Sequence, residues 1–269
     1  MTESGITFQG VRKEYADGTT AVANLTLDVR AGELLCLVGP SGCGKSTTLR
    51  MVNRLVEPTA GTITVAGEDI MATDAVQLRR HIGYVIQHVG LFPHRTVEQN
   101  VGTVPGLLGW DRDRKRARVS ELLALVGLDQ ATYARRYPHE LSGGERQRVG
   151  VARALATEPP VLLMDEPFGS VDPQGRRRLQ QEFLQIQRAL GTTVMMVTHD
   201  IREAVALGDR IAVFSAGAKV EQLDVPSVVA GAPANDFVAD FIADFDVPVR
   251  GAGARGGAAV PGGGRRAHK

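Results

Sequence analysis

The chain has 269 residues, of which 43% are hydrophobic and 23% charged. These values are typical of a folded protein of one or two domains, and they exclude a fibrous or wholly disordered chain. The formal net charge is +1, and residues 1–250 carry 27 basic against 30 acidic side chains, so the strong positive field of a nucleic-acid-binding protein is absent.

The predicted strands indicate an α/β fold with an antiparallel β subdomain. Early in the chain, short strand-like runs cover residues 6–11, 25–29, 34–38, 62–65 and 82–86. Residues Leu25, Leu27 and Val29 alternate with polar residues, as in a half-buried antiparallel strand. Three further runs are almost continuously apolar, as parallel strands buried on both faces are; they cover residues 34–38, 161–164 and 193–197.

Two helical regions are predicted in the second half of the chain. Strand patterns disappear across residues 89–156, which we interpret as a helical insert, and one helix face there carries Val119, Leu122, Leu123 and Val126. A helix after Pro173 has an apolar stripe formed by Leu179, Phe183, Ile186 and Leu190. Two short strands follow, at residues 211–214 and 220–223.

The C-terminal residues 246–269 are predicted to be a disordered tail rich in Gly and Arg. Its basic charge is compatible with contact to lipid or RNA, but a solvated tail is the favoured interpretation. The apolar runs fall short of the roughly 18 residues of a membrane span, and no secretory signal is present. Cys36 and Cys43, the only cysteines, disfavour a disulfide framework or a structural zinc site. We therefore expect a cytoplasmic location.

A phosphate-binding loop is predicted directly after the apolar run at residues 34–38. Two glycines separated by four residues and followed by Lys and Ser form the P-loop pattern, which here consists of Gly39, Pro40, Ser41, Gly42, Cys43, Gly44, Lys45 and Ser46. A helix follows, with Leu49, Val52 and Leu55 on one face. Backbone N–H groups and Lys45 are suited to phosphates, Ser46 to Mg²⁺, and Thr47 is a second phosphate donor. A glycine-rich turn without a ligand is the alternative.

Two carboxylates and a histidine follow predicted parallel strands. Asp165 and Glu166 come after residues 161–164, and His199 comes after residues 193–197. Because ligands bind at the carboxyl ends of parallel strands, these side chains should lie beside the phosphate loop. Asp165 is then a Mg²⁺ ligand, Glu166 a general base for water and His199 a sensor of the γ-phosphate. A plain strand end and a structural histidine are the alternatives.

A second glycine motif opens a later helix, with Ser142, Gly143 and Gly144 followed by Glu145. Ser with Glu three residues later is a capping box, which is sufficient to explain the pattern structurally. Successive glycines at a helix N-terminus also leave donors for an anion. The two glycine motifs lie about 100 residues apart, on either side of most of the helical insert.

This combination resembles the nucleotide-binding subunits of ABC transporters across nearly all of residues 5–245. The resemblance implies a nucleotide-binding domain over residues 1–245, ATP and Mg²⁺ as ligands, and a head-to-tail homodimer. It also implies roles for individual residues. Tyr15 would stack on adenine, and Gln87 would link the nucleotide and metal to the membrane partner. Across the dimer, the γ-phosphate would be bound by Ser142, Gly143 and Gly144, while Asp172 would make a dimer contact and His199 would act as a switch. Glu145 stands where the family often has Gln, and residues 169–172 depart mildly from its usual sequence.

Several short segments are similar in sequence to the ATPases of osmoprotectant importers; they cover residues 53–59, 83–87, 90–94, 107–110 and 235–239. This similarity implies an ATPase at the cytoplasmic face of the membrane, working with permease subunits and, indirectly, an extracytoplasmic substrate-binding protein. Glycine betaine, carnitine, choline or proline betaine is the expected cargo. A polar amino-acid importer remains the alternative within transport, while a soluble nucleic-acid or ribosome remodelling ATPase and a non-hydrolysing regulator are less favoured.

Overall fold

The computed structural model describes residues 4–87, 89–169 and 171–243. The strands it contains are β1 (Ser4–Glu14), β2 (Thr20–Arg30), β3 (Leu34–Val38), β4 (Ala60–Val65), β5 (Glu68–Asp69), β6 (Ile82–Val85), β7 (Val161–Asp165), β8 (Thr193–Val197), β9 (Arg210–Ser215) and β10 (Lys219–Asp224). The α-helices are α1 (Lys45–Val52), α2 (Ala75–Arg80), α3 (Val97–Val101), α4 (Thr103–Leu107), α5 (Arg112–Leu125), α6 (Gln130–Tyr133), α7 (Gly143–Ala154), α8 (Pro173–Leu190), α9 (Ile201–Leu207), α10 (Pro226–Gly231) and α11 (Asp236–Ala243). The predicted tail lies outside the described residues.

A six-stranded sheet in the order β10-β9-β3-β8-β7-β6 forms the centre of the protein. Its strands pair in parallel except for β10, which runs antiparallel to β9 at the edge. The parallel arrangement predicted for β3, β7 and β8 is confirmed. Because β8 pairs with both β3 and β7, the carboxyl ends of these strands lie along one edge of the sheet, where loops from each of them meet.

A four-stranded antiparallel sheet in the order β2-β1-β4-β5 forms the predicted antiparallel subdomain. On β2, Leu25, Leu27 and Val29 are buried and their neighbours are exposed, so the period-two prediction is confirmed. Strand β5 was not predicted, because two polar residues, Glu68 and Asp69, carry no hydrophobic pattern.

Two apolar cores cover the two faces of the central sheet. Alternate residues of β3 belong to different cores: Leu34, Cys36 and Val38 pack with the helices, whereas Leu35 and Leu37 pack with the antiparallel sheet. Side chains alternate between the faces of a strand, and burial on both faces explains why β3 is continuously apolar. Across the ranges described, no helix is both long enough and apolar enough to cross a bilayer.

The helices α3 to α7 lie between residues 97 and 154, and no strand occurs in the described part of residues 89–156. On α5, Val119, Leu122 and Leu123 are buried, and Val126 is buried at its C-cap, as the predicted stripe requires. The boundaries assigned to this insert stay predictions.

One predicted helix face is wrong at its end, and a second is exposed at its last position. Helix α1 stops at Val52, and Arg54 adopts a φ of 53°, so Leu55 lies beyond the helix and is 52% exposed. Helix α8 ends at Leu190 because Gly191 forms a left-handed C-cap, which leaves Leu190 37% exposed.

Candidate functional site

The loop between β3 and α1 requires glycine at two positions. Gly39 has a φ of 146°, and a Cβ there would lie 2.2 Å from the carbonyl oxygen of Phe214. Gly44 has a φ of 107°, and its Cβ would lie 2.4 Å from the carbonyl oxygen of Ala21. Side chains at these positions would collide with backbone in a conformation that favours glycine. The loop is therefore held close against β9 and the start of β2.

The N-terminus of α1 fits an anion. Its N-cap is Gly44, which provides no side-chain cap, and its first turn contains no acidic residue. The first N–H groups of a helix have no carbonyl partner within it, and the helix dipole adds positive potential there. Uncapped donors that follow a glycine-rich turn suit phosphate oxygens. Ser41 and Gly42 are exposed at the tip of this loop, and Thr47 is half-buried on α1.

Lys45 is curled inside the loop. Its Nζ donates hydrogen bonds to the carbonyl oxygens of Gly39 at 2.7 Å and Pro40 at 2.8 Å, and it lies 3.6 Å from Sγ of the buried Cys43. The loop therefore surrounds one ammonium group, a point charge of the kind that suits a phosphate.

Ser46 and Asp165 provide two neighbouring oxygen atoms. The Ser46 hydroxyl donates to Oδ1 of Asp165 at 3.1 Å, and a guanidinium nitrogen of Arg50 lies 3.4 Å from Oδ2. A hydrogen bond with Tyr84 is the main reason that the pKa of Arg50 is raised, and Asp165 adds to this effect. A hydroxyl and a carboxylate at the phosphate loop are the oxygen donors that Mg²⁺ prefers, so this pair fits the metal.

Three predicted residues from three neighbouring strands meet in one group of contacting side chains. Gln87 follows β6, Glu166 follows β7 and His199 follows β8. Nε2 of Gln87 donates to Oε2 of Glu166 at 2.8 Å, and Nδ1 of His199 lies 3.3 Å from the same oxygen. The carboxylate of Glu166 is therefore held by an amide on one side and an imidazole on the other.

Tyr15 lies in the turn between β1 and β2. The turn is closed by hydrogen bonds from Tyr15 N–H to Thr19 and from Gly18 N–H to Tyr15, at 2.9 and 3.0 Å. The ring is 40% exposed, with Nζ of Lys13 at 5.1 Å from its centre. Because β2 also contacts the phosphate loop through Ala21, the turn belongs to the same side of the protein as that loop.

The second glycine motif forms the predicted capping box at the start of α7. Ser142 Oγ accepts from Glu145 N–H at 3.3 Å, and the Glu145 carboxylate accepts from Ser142 N–H at 2.7 Å. The same carboxylate accepts the Tyr133 hydroxyl at 2.6 Å, and this bond is the main reason that the pKa of Glu145 is lowered. Gly143 and Gly144 follow as the first two residues of the helix.

The chain does not join this second motif to the phosphate loop. A Cβ on Gly144 would lie 3.7 Å from the Val171 side chain, and Asp172 caps α8 by accepting from Gln174 and Gly175. Within the described ranges, no hydrogen bond or ion pair connects Ser142–Gly144 or Asp172 with residues 39–47. The predicted site residues therefore form two separate groups.

The sequence profile described as "ABC transporter" matches residues 22–169, the part that contains the phosphate loop, the capped glycine motif and both carboxylates. The chain belongs to the ABC transporter family. It is 53% identical over 232 residues to the glycine betaine/carnitine/choline transport ATP-binding protein OpuCA of Bacillus subtilis (strain 168), covering 86% of this chain and 60% of that protein. It is 54% identical over 222 residues to the osmoprotectant import ATP-binding protein OsmV of Salmonella typhimurium, covering 82% and 58%.

The chain thus spans about three fifths of the length of these relatives. Among solved structures, CbiO1 of Clostridium perfringens, part of the transporter complex CbiONQ, has a TM-score of 0.79 at 28% identity, covering 86% of this chain and 92% of that one. A dimeric post-hydrolysis state of the ATP-binding cassette MJ0796, bound to ADP and Pi, has a TM-score of 0.73 at 33% identity, covering 82% and 98%. These similarities agree with the P-loop ABC ATPase fold predicted from the sequence.

Sequence reasoning missed Arg50, which contacts Asp165, and Tyr84, which forms a hydrogen bond with Arg50. One signal was present: Arg50 lies four residues after Ser46 on α1, and residues at that spacing share a helix face. Tyr84 on β6 carried no such signal, because its contact with Arg50 depends on how β6 and α1 pack.

Proposed function

We propose that this chain is the ATP-hydrolysing subunit of an ABC importer that energises the uptake of quaternary-amine osmoprotectants. The observation that supports hydrolysis is the meeting of Gln87, Glu166 and His199 at the sheet edge that also carries Ser46 and Asp165. The names of OpuCA and OsmV support the class of cargo. Glycine betaine, carnitine, choline and proline betaine are the proposed substrates.

The phosphate loop and its helix bind ATP in this proposal. The N–H groups of the loop and of the first turn of α1 hold the phosphates, assisted by Lys45 and Thr47. Tyr15 stacks on the adenine ring, for which its exposed face is available. Ser46, Asp165 and Gln87 hold Mg²⁺, which when bound neutralises charge on the β- and γ-phosphates.

Glu166 acts as the general base. Its carboxylate accepts the proton of the attacking water, while Gln87 and His199 fix its orientation through the bonds at Oε2. His199 also donates to the γ-phosphate, so that the imidazole reports whether that phosphate is present.

Each chain holds two half-sites, and a homodimer completes them. In the proposed dimer, Ser142, Gly143 and Gly144 of one copy bind the γ-phosphate held by the phosphate loop of the other, and Asp172 contacts the partner copy. Closure around two ATP molecules drives permease subunits, at whose cytoplasmic face the chain is docked through the region of Gln87. An extracytoplasmic binding protein delivers the cargo, and nucleic acid has no part.

Reconstitution of the full chain with its permease and binding protein tests this function. We expect glycine betaine, choline or carnitine to stimulate ATP hydrolysis, with the Lys45→Ala chain as the control that does not hydrolyse ATP. Stimulation by polar amino acids alone would support the ATPase activity but overturn the osmoprotectant assignment. The chain would then be the ATPase subunit of a polar amino-acid importer. Absence of any Mg²⁺-dependent hydrolysis by the wild-type complex would overturn the ATPase itself.

A further inference from the structure

A buried polar cluster lies beneath the loop that carries His199. Its members are Thr198, Glu203 on α9 and Gln180 on α8, and each is less than one tenth exposed. Nε2 of Gln180 donates to Oε1 of Glu203 at 2.8 Å, and the Thr198 hydroxyl donates to the same carboxylate. Burial raises the pKa of Glu203, and these two bonds oppose the rise. A buried carboxylate is costly unless it is hydrogen-bonded, so both donors contribute to keeping it in place.

The cluster fixes the backbone on both sides of His199. Oγ1 of Thr198 accepts the N–H of Asp200 at 3.1 Å, and the Thr198 N–H donates to Leu37 on β3 at 3.2 Å. The imidazole is 64% exposed and reaches Glu166 at 3.3 Å. A side chain with so little packing around it takes its position from its backbone, and that backbone is held by Thr198 and, through it, by Glu203.

The same cluster extends to the segment that precedes α8. Arg176, in the first turn of α8, donates to the carbonyl oxygen of Val171 at 3.1 Å, and its charge acts on Glu203. Gln180 lies one turn further along the helix. Because Gln180 lies on α8 and donates to Glu203, a displacement of α8 along its axis changes the support of Glu203.

We propose that Glu203, held by Gln180 and Thr198, is a positioning residue that sets the reach of His199 to Glu166 and couples it to α8. This inference rests on the proposed ATPase function. Glu203 contacts neither His199 nor Glu166 by hydrogen bond in the described part of the chain, so it acts through Thr198 and the backbone.

Two buried glutamines on α8 provide a matched test. Gln180 donates to Glu203, whereas Gln187, two turns later, donates to the carbonyl oxygens of Gly32 and Thr192 at 2.8 and 3.0 Å. In the full chain we expect Gln180→Met to lower kcat for ATP about 10- to 100-fold, with KM within about twofold, because small misplacements of a reacting group cost this much. We expect Gln187→Met to lower the melting temperature at least as much while leaving kcat within about twofold.

A second pair of variants keeps the test independent of folding. Thr198→Val removes the hydroxyl and should lower kcat as Gln180→Met does, and Thr198→Ser, which keeps the hydroxyl, should restore it. In a crystal structure of Gln180→Met, the distance from His199 Nδ1 to Glu166 Oε2 should exceed the 3.3 Å seen here.

Equal losses of kcat in Gln180→Met and Gln187→Met, or an unchanged distance between His199 and Glu166, would reduce the cluster to ordinary core structure and overturn the proposal. A wild-type chain that binds ATP without hydrolysing it would overturn the proposed function instead, and the positioning role with it.

Discussion

Glu166 adopts a backbone conformation that favours glycine, with a φ of 46°. Its N–H donates to the carbonyl oxygen of Val197 at 2.9 Å, so β8 holds the turn that ends β7. Left-handed conformations are costly for residues with a Cβ and persist where the surrounding structure fixes them. At the residue scale, the carboxylate that contacts Gln87 and His199 is thus carried by a strained backbone.

Glu166→Gln should retain ATP binding but lower turnover about 10²- to 10⁴-fold, as expected when a general base is lost. Steady-state hydrolysis and equilibrium ATP binding measure the two effects. Glu158→Gln is a matched control, because Glu158 also has a left-handed backbone, with a φ of 52°, but pairs with Arg118 at 3.3 Å, away from this site. Turnover near the wild-type rate in Glu166→Gln would remove Glu166 from the role of base.

Helix α7 shows how an element combines a structural and a proposed binding feature. Its capping box provides hydrogen-bond acceptors for two backbone N–H groups at the start of the helix, and the Tyr133 hydroxyl gives Glu145 a third hydrogen bond. The cap thus fixes the direction of a helix whose first residues are Gly143 and Gly144.

Replacing Glu145 by Gln should remove an acid-dependent part of the stability. The pKa of Glu145 is lowered from 4.5 in the folded chain, mainly by the hydrogen bond from Tyr133. Between the lowered pKa and 4.5 the unfolded chain therefore binds more protons than the folded chain, and the stabilisation is fully present above pH 4.5. It is lost as the pH falls through the lowered pKa. Urea unfolding should therefore show wild type more stable than Glu145→Gln at pH 7, with the difference shrinking below pH 4.5. A constant difference across this range would contradict the assignment.

Helix α8 shows where an apolar stripe stops being buried. Phe183 is fully buried and contacts Phe168 edge-on, with ring centres 6.2 Å apart, whereas Leu190 is 37% exposed at the last turn. Phe183→Ala should lower the free energy of unfolding by about 3–5 kcal/mol, since it leaves a cavity. Leu190→Ala should cost less than about 1 kcal/mol. Chemical denaturation measures both, and similar losses would show that the C-terminal turn is packed as tightly as the centre.

At the scale of the whole molecule, the separation of the two glycine motifs has a consequence for assembly. Ser142 and the phosphate loop share no bond within the described chain, so a complete site requires a second copy under the proposed function. Dimerisation should therefore depend on ATP bound at one motif and on the integrity of the other.

Ser142→Arg should abolish ATP-dependent dimers and leave nucleotide binding to the monomer intact, because a bulky cation then occupies the proposed contact. Gel filtration with ATP measures the fraction of dimer, and the Glu166→Gln background is used because slow hydrolysis leaves the ATP intact. Thr96→Arg is the control, since Thr96 caps α3 with the same kind of capping box and its loss costs a similar amount, about 1 kcal/mol. Dimers that survive Ser142→Arg would place the dimer contact elsewhere.

The amino-acid sequence by itself determined the features that depend only on residues next to each other along the chain. The phosphate loop, the capping box and the strands β3 and β8 are encoded within four to eight consecutive residues, because glycine geometry, cap chemistry and continuous burial are local properties. That these strands are parallel also followed, because continuously apolar strands are typical of parallel sheets buried on both faces.

Tertiary structure alone decided which side chains meet. Gln87, Glu166 and His199 form one group because β6, β7 and β8 are adjacent in the sheet, an order that no single segment encodes. Arg50 reaches Asp165, and Gln180 reaches Glu203, only because helices pack on that sheet. Leu55 and Leu190 fit their helical patterns but are exposed, because Leu55 lies beyond the end of α1 and Leu190 is the last residue of α8. Contacts between distant segments depend on the packing of the whole chain, and periodicity within one segment carries no information about them.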